Sequence, residues 1–161
     1  MPTFNNQFLH AQTKQPDANG LATAGPILQV EIQVPQAIAK SLSDAGQPIP
    51  KPIVGFGLVD TGASLTCVDE AQLKALSLNP VSTANVGTAS GAAQQNVYAC
   101  HLRIPAQDLH IELAAVLGAN LASQRVMIAG TPPLVALLGR NLLQFGVLVY
   151  NGTYGVWSFS V

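Results

Sequence analysis

The chain has 161 residues, which favours a single domain and is long enough to bury a hydrophobic core. Charged residues make up only 9% of it, seven Lys or Arg against eight Asp or Glu, while 48% of the residues are hydrophobic. The few scattered cations argue against a nucleic-acid-binding protein, and the hydrophobic content argues against a disordered chain.

The N-terminal third of the chain shows a change from polar to alternating sequence. Residues 1–25 are rich in Asn, Gln, Thr, Ala, Gly and Pro, which is typical of a flexible arm. We therefore expect the folded domain to span residues 26–161. A half-buried strand is predicted over residues 27–34, where apolar and polar residues alternate. Residues 35–52 contain four prolines and are expected to form a long connection with one helical turn.

The middle of the chain predicts a strand, a helix and a hairpin. Residues 53–59 are apolar apart from glycines and fit a buried strand that runs directly into Asp60. Asp69 is expected to cap a short helix that ends at Asn79-Pro80, with Glu70 and Lys74 paired on its outer side. Residues 81–100 are small, polar and Gly-bearing, which favours a hairpin.

The C-terminal half predicts further short strands. Two inward faces are expected, one at residues 98–104 and one at residues 109–113. The polar residues that alternate with these inward faces are expected to be solvent-exposed; they are His101, Arg103, His110 and Glu112. A pH-sensitive contact between His110 and Glu112 is an alternative. Residues 134–138 fit a buried strand and residues 139–145 a short helix. Asn151-Gly152 predicts a type I′ hairpin turn. Together these elements predict a mainly-β domain with one or two short helices.

Two motifs carry the chemistry of the sequence. Asp60-Thr61-Gly62-Ala63-Ser64 lies between two apolar runs, and a carboxylate between core strands is costly unless the site is built for it. A simple Asp-led turn explains the Asp and the Gly but not the apolar flanks. The second motif, Leu137-Leu138-Gly139-Arg140-Asn141-Leu142-Leu143, follows about 77 residues after the first.

In this order and spacing, the two motifs resemble those of the retropepsin-like aspartic proteases, the single-lobe, retroviral-type branch of the pepsin-like enzymes. The resemblance extends over residues 27–161, although the compact viral enzymes have no counterpart of residues 1–25 or 35–52. It implies a single-lobe acid-protease β-barrel that is active as a two-fold homodimer. The hairpin residues that correspond to the flap of this family are Val86, Gly87, Thr88, Ala89, Ser90 and Gly91.

The resemblance also implies roles for individual residues. Asp60 would be the catalytic residue, and Thr61, Gly62, Ala63 and Ser64 would support the active-site loop, Thr61 by hydrogen bonds across the dimer axis. Leu138 and Gly139 would pack behind that loop. Arg140 would be structural, but the viral enzymes pair it with an acid where this chain has Ser64, so its partner is left open. Residues 156–161 fit either a strand of the dimer sheet or a core strand.

Peptide hydrolysis by this route needs two carboxylates that share one proton. Of the five aspartates, only Asp60 is followed by Thr-Gly, so the second carboxylate must come from another copy of the chain. The sequence therefore favours a homodimeric aspartic endopeptidase that acts on peptide or protein substrates without a cofactor or metal ion. The alternatives are a retropepsin-fold dimerisation or peptide-binding module with little or no proteolysis, and an unrelated barrel in which Asp60 is a turn residue.

The remaining features are unspecific. No segment approaches the ~18 consecutive apolar residues of a membrane-spanning helix, and the first twenty residues lack the basic and apolar regions of a secretory signal. We therefore expect a cytoplasmic protein with no membrane or nucleic-acid partner. Cys67 and Cys100 are interpreted as reduced, small core residues.

Overall fold

The computed structural model describes residues 3–10, 12–88, 91–121 and 133–161. Strands dominate these ranges, and the helices are short. In chain order the elements are β1 (Thr3–Gln7), α1 (Ala18–Ala24), β2 (Ile27–Gln33), α2 (Gln36–Asp44), β3 (Ile53–Val59), β4 (Cys67–Asp69), α3 (Glu70–Ala75), β5 (Ser82–Thr88), β6 (Gly91–Ile104), β7 (Leu109–Ala119), β8 (Leu134–Leu138), α4 (Arg140–Leu143), β9 (Val147–Asn151) and β10 (Val156–Ser160).

Six strands close a barrel because each of them pairs with two neighbours. Their order is β2-β3-β8-β4-β7-β6, and a further pairing of β2 with β6 completes the ring. β5 extends the sheet beyond β6, and β1, β10 and β9 form a separate three-stranded sheet. This architecture confirms the predicted mainly-β, single-lobe barrel.

The barrel interior follows the alternation seen in the sequence. In β2, Leu28, Val30 and Ile32 are buried, whereas Gln29 between them is exposed. In β6, the predicted inward face is fully buried and consists of Tyr98, Cys100, Leu102 and Ile104. Burial of such side chains away from water is the main favourable contribution to folding.

The two strands that carry the sequence motifs lie side by side. β3 and β8 pair in parallel, with Val59 opposite Leu138. Parallel strands end at the same edge of a sheet, so the continuation of β3 at Asp60 and the continuation of β8 at Gly139 emerge together. The fold therefore brings the two motifs to one place although their first residues are 77 positions apart in the sequence.

The N-terminal arm has more regular structure than the sequence predicts. β1 pairs with β10 along its whole length, and Phe4 contacts Trp157 with ring centroids 5.0 Å apart. Asp17 caps α1, whose Leu21 is fully buried. The expectation of a flexible arm is therefore wrong for residues 3–7 and 18–24. The polar composition of β1 does not predict a strand. It forms one because β10, near the C-terminus, provides its hydrogen-bond partners.

Two predicted boundaries are also wrong. The connection after β2 holds the nine-residue helix α2 in place of one turn. α3 ends at Ala75, before the predicted Asn79-Pro80, because Ser77 adopts a positive φ of 59°. Positive φ breaks the right-handed helix at that residue.

The predicted type I′ turn at Asn151-Gly152 is wrong as well. A 3-10 turn over Gly152–Tyr154 joins β9 to β10, and the Asn151 side chain accepts a hydrogen bond from the Tyr154 N–H at 3.3 Å. Gly155 supplies the residue with positive φ, at 60°. The asparagine therefore acts as a cap in a longer loop instead of as the first residue of a tight turn.

His101 is buried, which contradicts its expected exposure. Only 2% of the residue is exposed, and its Nδ1 lies 2.9 Å from Oε1 of Glu112 and its Nε2 lies 3.0 Å from Nδ1 of His110. Glu112 also accepts a hydrogen bond from the Gln36 N–H at the start of α2. A polar side chain is buried here because its ring nitrogens have partners.

Arg103 is only partly exposed, because it forms ion pairs with Glu31 and Asp108.

Across the described ranges, none of the helices has both the length and the apolar character needed to cross a bilayer.

Candidate active site

Asp60 is the first residue after β3 and is half-buried. Its backbone N–H donates to the Leu138 carbonyl at 3.0 Å, so β8 fixes the point where the chain leaves the barrel. The Gly62 N–H donates to Oδ1 of Asp60 at 2.9 Å, which orients the carboxylate. A Cβ on Gly62 would lie 3.1 Å from the same oxygen, so the glycine leaves room for the acid. We call residues 60–64 the Asp60 loop.

The segment after β8 holds the Asp60 loop from behind. The Arg140 N–H donates to the Ala63 carbonyl at 2.9 Å, and the Asn141 N–H donates to the Ser64 carbonyl at 3.1 Å. A Cβ on Gly139 would lie 2.5 Å from the Leu65 carbonyl carbon, a distance that real Cβ atoms do not reach. Glycine is therefore required where the two motifs touch.

The Arg140 side chain binds the loop directly, which answers the open question of its partner. Its Nη1 donates to the Thr61 carbonyl at 2.8 Å and to the Gly62 carbonyl at 3.3 Å. Its Nη2 donates to Oγ of Ser64 at 2.8 Å. The guanidinium thus binds both backbone carbonyls and the Ser64 hydroxyl.

Thr66 and Asn141 form a buried link between the two motifs that the sequence analysis missed. Thr66 is fully buried, and its Oγ1 accepts a hydrogen bond from the Gly139 N–H at 3.1 Å and donates to Oδ1 of Asn141 at 2.9 Å. The Thr66 N–H also donates to this oxygen, at 2.8 Å. Thr66 is a polar residue within the apolar run 65–68, and that pattern could have indicated it, whereas Asn141 follows Arg140 and carries no such signal.

A cleft of about 530 Å³ opens beside Asp60, with the loop on one side and β5 on the other. Val86 and Gly87 of the predicted flap line it, so the structure brings part of that hairpin to the carboxylate. Thr88 pairs with Gly91 near the hairpin tip, while Ala89 and Ser90 lie outside the described residues. The lining residues are mostly apolar: Asp60, Gly62, Ala63, Ser64, Leu65, Cys67, Ala84, Asn85, Val86, Gly87 and Leu117.

Both cysteines are free thiols. Burial and then the Asp60 carboxylate raise the pKa of the Cys67 thiol, which lines the cleft. Burial, with a smaller contribution from Glu112, raises the pKa of Cys100 to about 12. Cys100 is therefore a neutral core residue, as predicted.

The other seven carboxylates of the chain are engaged away from the cleft. Their contacts are Asp17 with the α1 N-terminus, Glu31 and Asp108 with Arg103, Asp44 with Lys40, Asp69 with the α3 N-terminus, Glu70 with Asn96, and Glu112 with His101. Asp60 is the carboxylate that lines the cleft. Across the described part of the chain, no group of three or more His, Cys, Asp or Glu side chains is arranged to hold a metal ion.

Comparison with known proteins places this site in a family. The family model described as spumavirus aspartic protease (A9) matches residues 53–149, more than half of the chain. The chain belongs to this family. Membership confirms the predicted retropepsin-like class, and the matched range contains both motifs and the β5–β6 hairpin.

The solution structure of the simian foamy virus (mac) protease is similar to this chain, with 23% sequence identity and a TM-score of 0.44. The match covers 74% of this chain and 93% of the viral chain. No curated protein matches the sequence. By family, the chain is a retroviral-type aspartic protease.

Proposed function

We propose that the chain is an aspartic endopeptidase whose active site forms between two copies, with one Asp60 from each. The observation that carries this proposal is that Asp60 alone among eight carboxylates lines the cleft. Hydrolysis by this route needs a second carboxylate. A two-fold axis beside the Asp60 loop would supply the same residue from the partner.

In this mechanism the two carboxylates share one proton and hold a water molecule between them. The ionised carboxylate accepts a proton from the water as it attacks the peptide carbonyl carbon, while the protonated carboxyl donates to the carbonyl oxygen. The tetrahedral intermediate then collapses with cleavage of the C–N bond and protonation of the leaving nitrogen. Because the pair must hold one proton, activity is expected to be highest at acidic to mildly acidic pH.

The other residues of the motifs have supporting roles in the proposal. Thr61 would hydrogen-bond across the dimer axis, and it is exposed in the single chain. Gly62 would let an extended peptide approach, and the hairpin residues 86–91 would close over that peptide and exclude water. Leu138, Gly139 and Arg140 would fix the Asp60 loop through the contacts described above.

The terminal sheet limits how a second copy could pair. β10 lies between β1 and β9 of its own chain, and Trp157 and Phe159 are buried. This arrangement favours the core-strand interpretation of residues 156–161 over pairing with a partner. Among the strands that the structure describes, β1 and β9 form the edges of this sheet, and Val147 and Val149 on β9 are exposed. We assign residues 26–161 to the protease domain, with the arm contributing β1 and α1.

The decisive experiment is the variant Asp60→Asn, assayed for cleavage of a denatured protein and of extended, apolar fluorogenic peptides. We expect cleavage to be lost, because the amide cannot accept the proton of the attacking water. Circular dichroism and the thermal midpoint should stay close to wild type, since Asp60 is half-buried and its backbone contacts remain. The matched control is Asp44→Asn, which alters an exposed carboxylate that pairs with Lys40 on the surface.

Unchanged cleavage by Asp60→Asn would overturn the proposal. Absence of cleavage by the wild-type chain, together with retained peptide binding, would instead support a retropepsin-fold binding or dimerisation module. A rate that stays flat into alkaline pH would argue against a shared proton.

A further inference from the structure

A second polar cluster lies apart from the Asp60 loop and joins the β5–β6 hairpin to the helix α3. Its centre is Glu70, the first residue of α3. Oε1 of Glu70 accepts a hydrogen bond from Nδ2 of Asn96 at 2.7 Å and from the Tyr98 hydroxyl at 2.8 Å. Oε2 lies 3.1 Å from Nζ of Lys74, one turn along the helix.

The cluster lies where the hairpin leaves the barrel. Residues 91–94 of β6 are exposed, whereas Tyr98 is fully buried. Asn96, at this transition, pairs in register with Thr83 of β5. The Glu70 carboxylate therefore holds β6 at the base of the hairpin, and the exposed residues 91–94 would bend about this point.

Gly118 of β7 leaves room for the side chains of the cluster. A Cβ on Gly118 of β7 would lie 2.9 Å from Cε2 of Tyr98 and 3.0 Å from Cγ of Glu70. Only a glycine lets the ring and the acid chain pack over this strand. Because the adjacent Leu117 lines the cleft, the same strand connects this cluster to the site.

We propose that Glu70 is a positioning residue for the flap: it clamps the base of the β5–β6 hairpin so that Val86 and Gly87 are held over the cleft. The inference rests on the proposed protease function, because a flap has a role only where a peptide is bound. Glu70 does not line the cleft, so it acts through Asn96 and Tyr98.

The clamp suits an enzyme that works in acid. The hydrogen bonds from Asn96 and Tyr98, with that from Lys74, lower the pKa of Glu70 from 4.5 to about 2. The carboxylate therefore stays ionised over the acidic range in which two carboxylates can share one proton. An ordinary glutamate would lose its charge in that range.

The first test measures hairpin opening by hydrogen exchange and does not depend on activity. Glu70→Ala removes the acceptor and should raise exchange at the amides of residues 82–97, while the amides of β2 and β3 keep wild-type protection. Glu70→Gln should restore protection, because its amide oxygen can accept both hydrogen bonds. Lys74→Ala, which removes an exposed ion pair of the same carboxylate, is the matched control and should change little.

The second test is kinetic. Glu70→Ala removes both hydrogen bonds and should raise KM about tenfold, with a smaller change in kcat. Glu70→Gln should return KM to within about twofold of wild type, and Tyr98→Phe, which removes one donor, should fall between them. An unchanged KM together with unchanged hairpin exchange in Glu70→Ala would overturn the proposal.

A uniform rise in exchange across the barrel would also overturn it, because Glu70 would then only stabilise the whole fold. If the wild-type chain cleaves no peptide, the proposed function fails. The exchange measurement then still decides whether the clamp exists.

Discussion

Gly139 determines how closely the two motifs can approach. Its missing side chain lets β8 end directly against the backbone of Leu65 and Thr66, and the Gly139 N–H reaches Oγ1 of Thr66. The neighbouring Arg140 then lies within reach of the Asp60 loop. One residue without a Cβ thus supports several of the contacts that hold the carboxylate in place.

Gly139→Ala is therefore expected to destabilise the fold. The new methyl group would overlap backbone atoms that cannot move aside, so we expect a loss of about 3 kcal/mol in the free energy of unfolding, measured by urea titration. Gly87→Ala is the control, since a Cβ there meets no atom within 4 Å, and it should stay within about 0.5 kcal/mol of wild type. Equal stability of the two variants would contradict the packing seen at Gly139.

Arg140→Lys is expected to weaken the Asp60 loop. Lysine keeps the charge but lacks the planar fork that places two separate nitrogens on the Thr61 carbonyl and the Ser64 hydroxyl. We expect a loss of about 1–2 kcal/mol in stability and a lower kcat for peptide cleavage. The control is Arg103→Lys, which disturbs the ion pairs with Glu31 and Asp108 on the barrel surface; it should leave kcat unchanged. A wild-type kcat in Arg140→Lys would show that the side chain does not position the loop.

At the level of elements, strands with an apolar pattern in their own sequence could be predicted. A strand that forms only because a distant strand pairs with it could not. β2, β3 and β8 fall where their apolar patterns predict them. β1 is mostly polar and forms only because β10 offers it a partner. The sequence predicts His101 at the surface because one strand cannot show that the next strand brings Glu112 and His110 to its ring.

The same limit applies to the candidate site. The loop and the segment behind it are visible as motifs, whereas the cluster of Glu70, Asn96 and Tyr98 is not. Glu70 was predicted only as the partner of Lys74, a pair that the structure contains at 3.1 Å. Its contacts to β6 span 26 and 28 residues and depend on the closure of the barrel.

The depressed pKa of Glu70 predicts a specific pH dependence of stability. Because the folded-state pKa lies below the ordinary value, the ionised group stabilises the fold above pH 4.5, and this contribution is lost as the pH falls from 4.5 towards 2. The difference in unfolding free energy between wild type and Glu70→Gln should therefore shrink over that interval, as measured by denaturant titration at several pH values. A difference that stays constant would show that the charge is not stabilised by its neighbours.

At the level of the whole molecule, one chain provides half of the proposed active site, and a mixing experiment tests this directly. Wild type and Asp60→Asn are combined in equal amounts and allowed to exchange subunits. Random pairing leaves about half of the wild-type chains in fully wild-type dimers, so cleavage per wild-type chain should fall to about half. Activity per wild-type chain that is unaffected by the variant would mean that each chain works alone. The control is an equal mixture of wild type and Asp44→Asn, in which every pairing should be active.

The contacts of Arg140 do not depend on the protonation of an acid. The groups that it binds are two backbone carbonyls and a serine hydroxyl, none of which gains or loses a proton in the acidic range, and a guanidinium stays charged throughout it. An acid at position 64 would have placed a group that can take up a proton within this support. With serine there, acidification can change the protonation of the reacting carboxylates while the support beneath them keeps the same charge and the same hydrogen bonds.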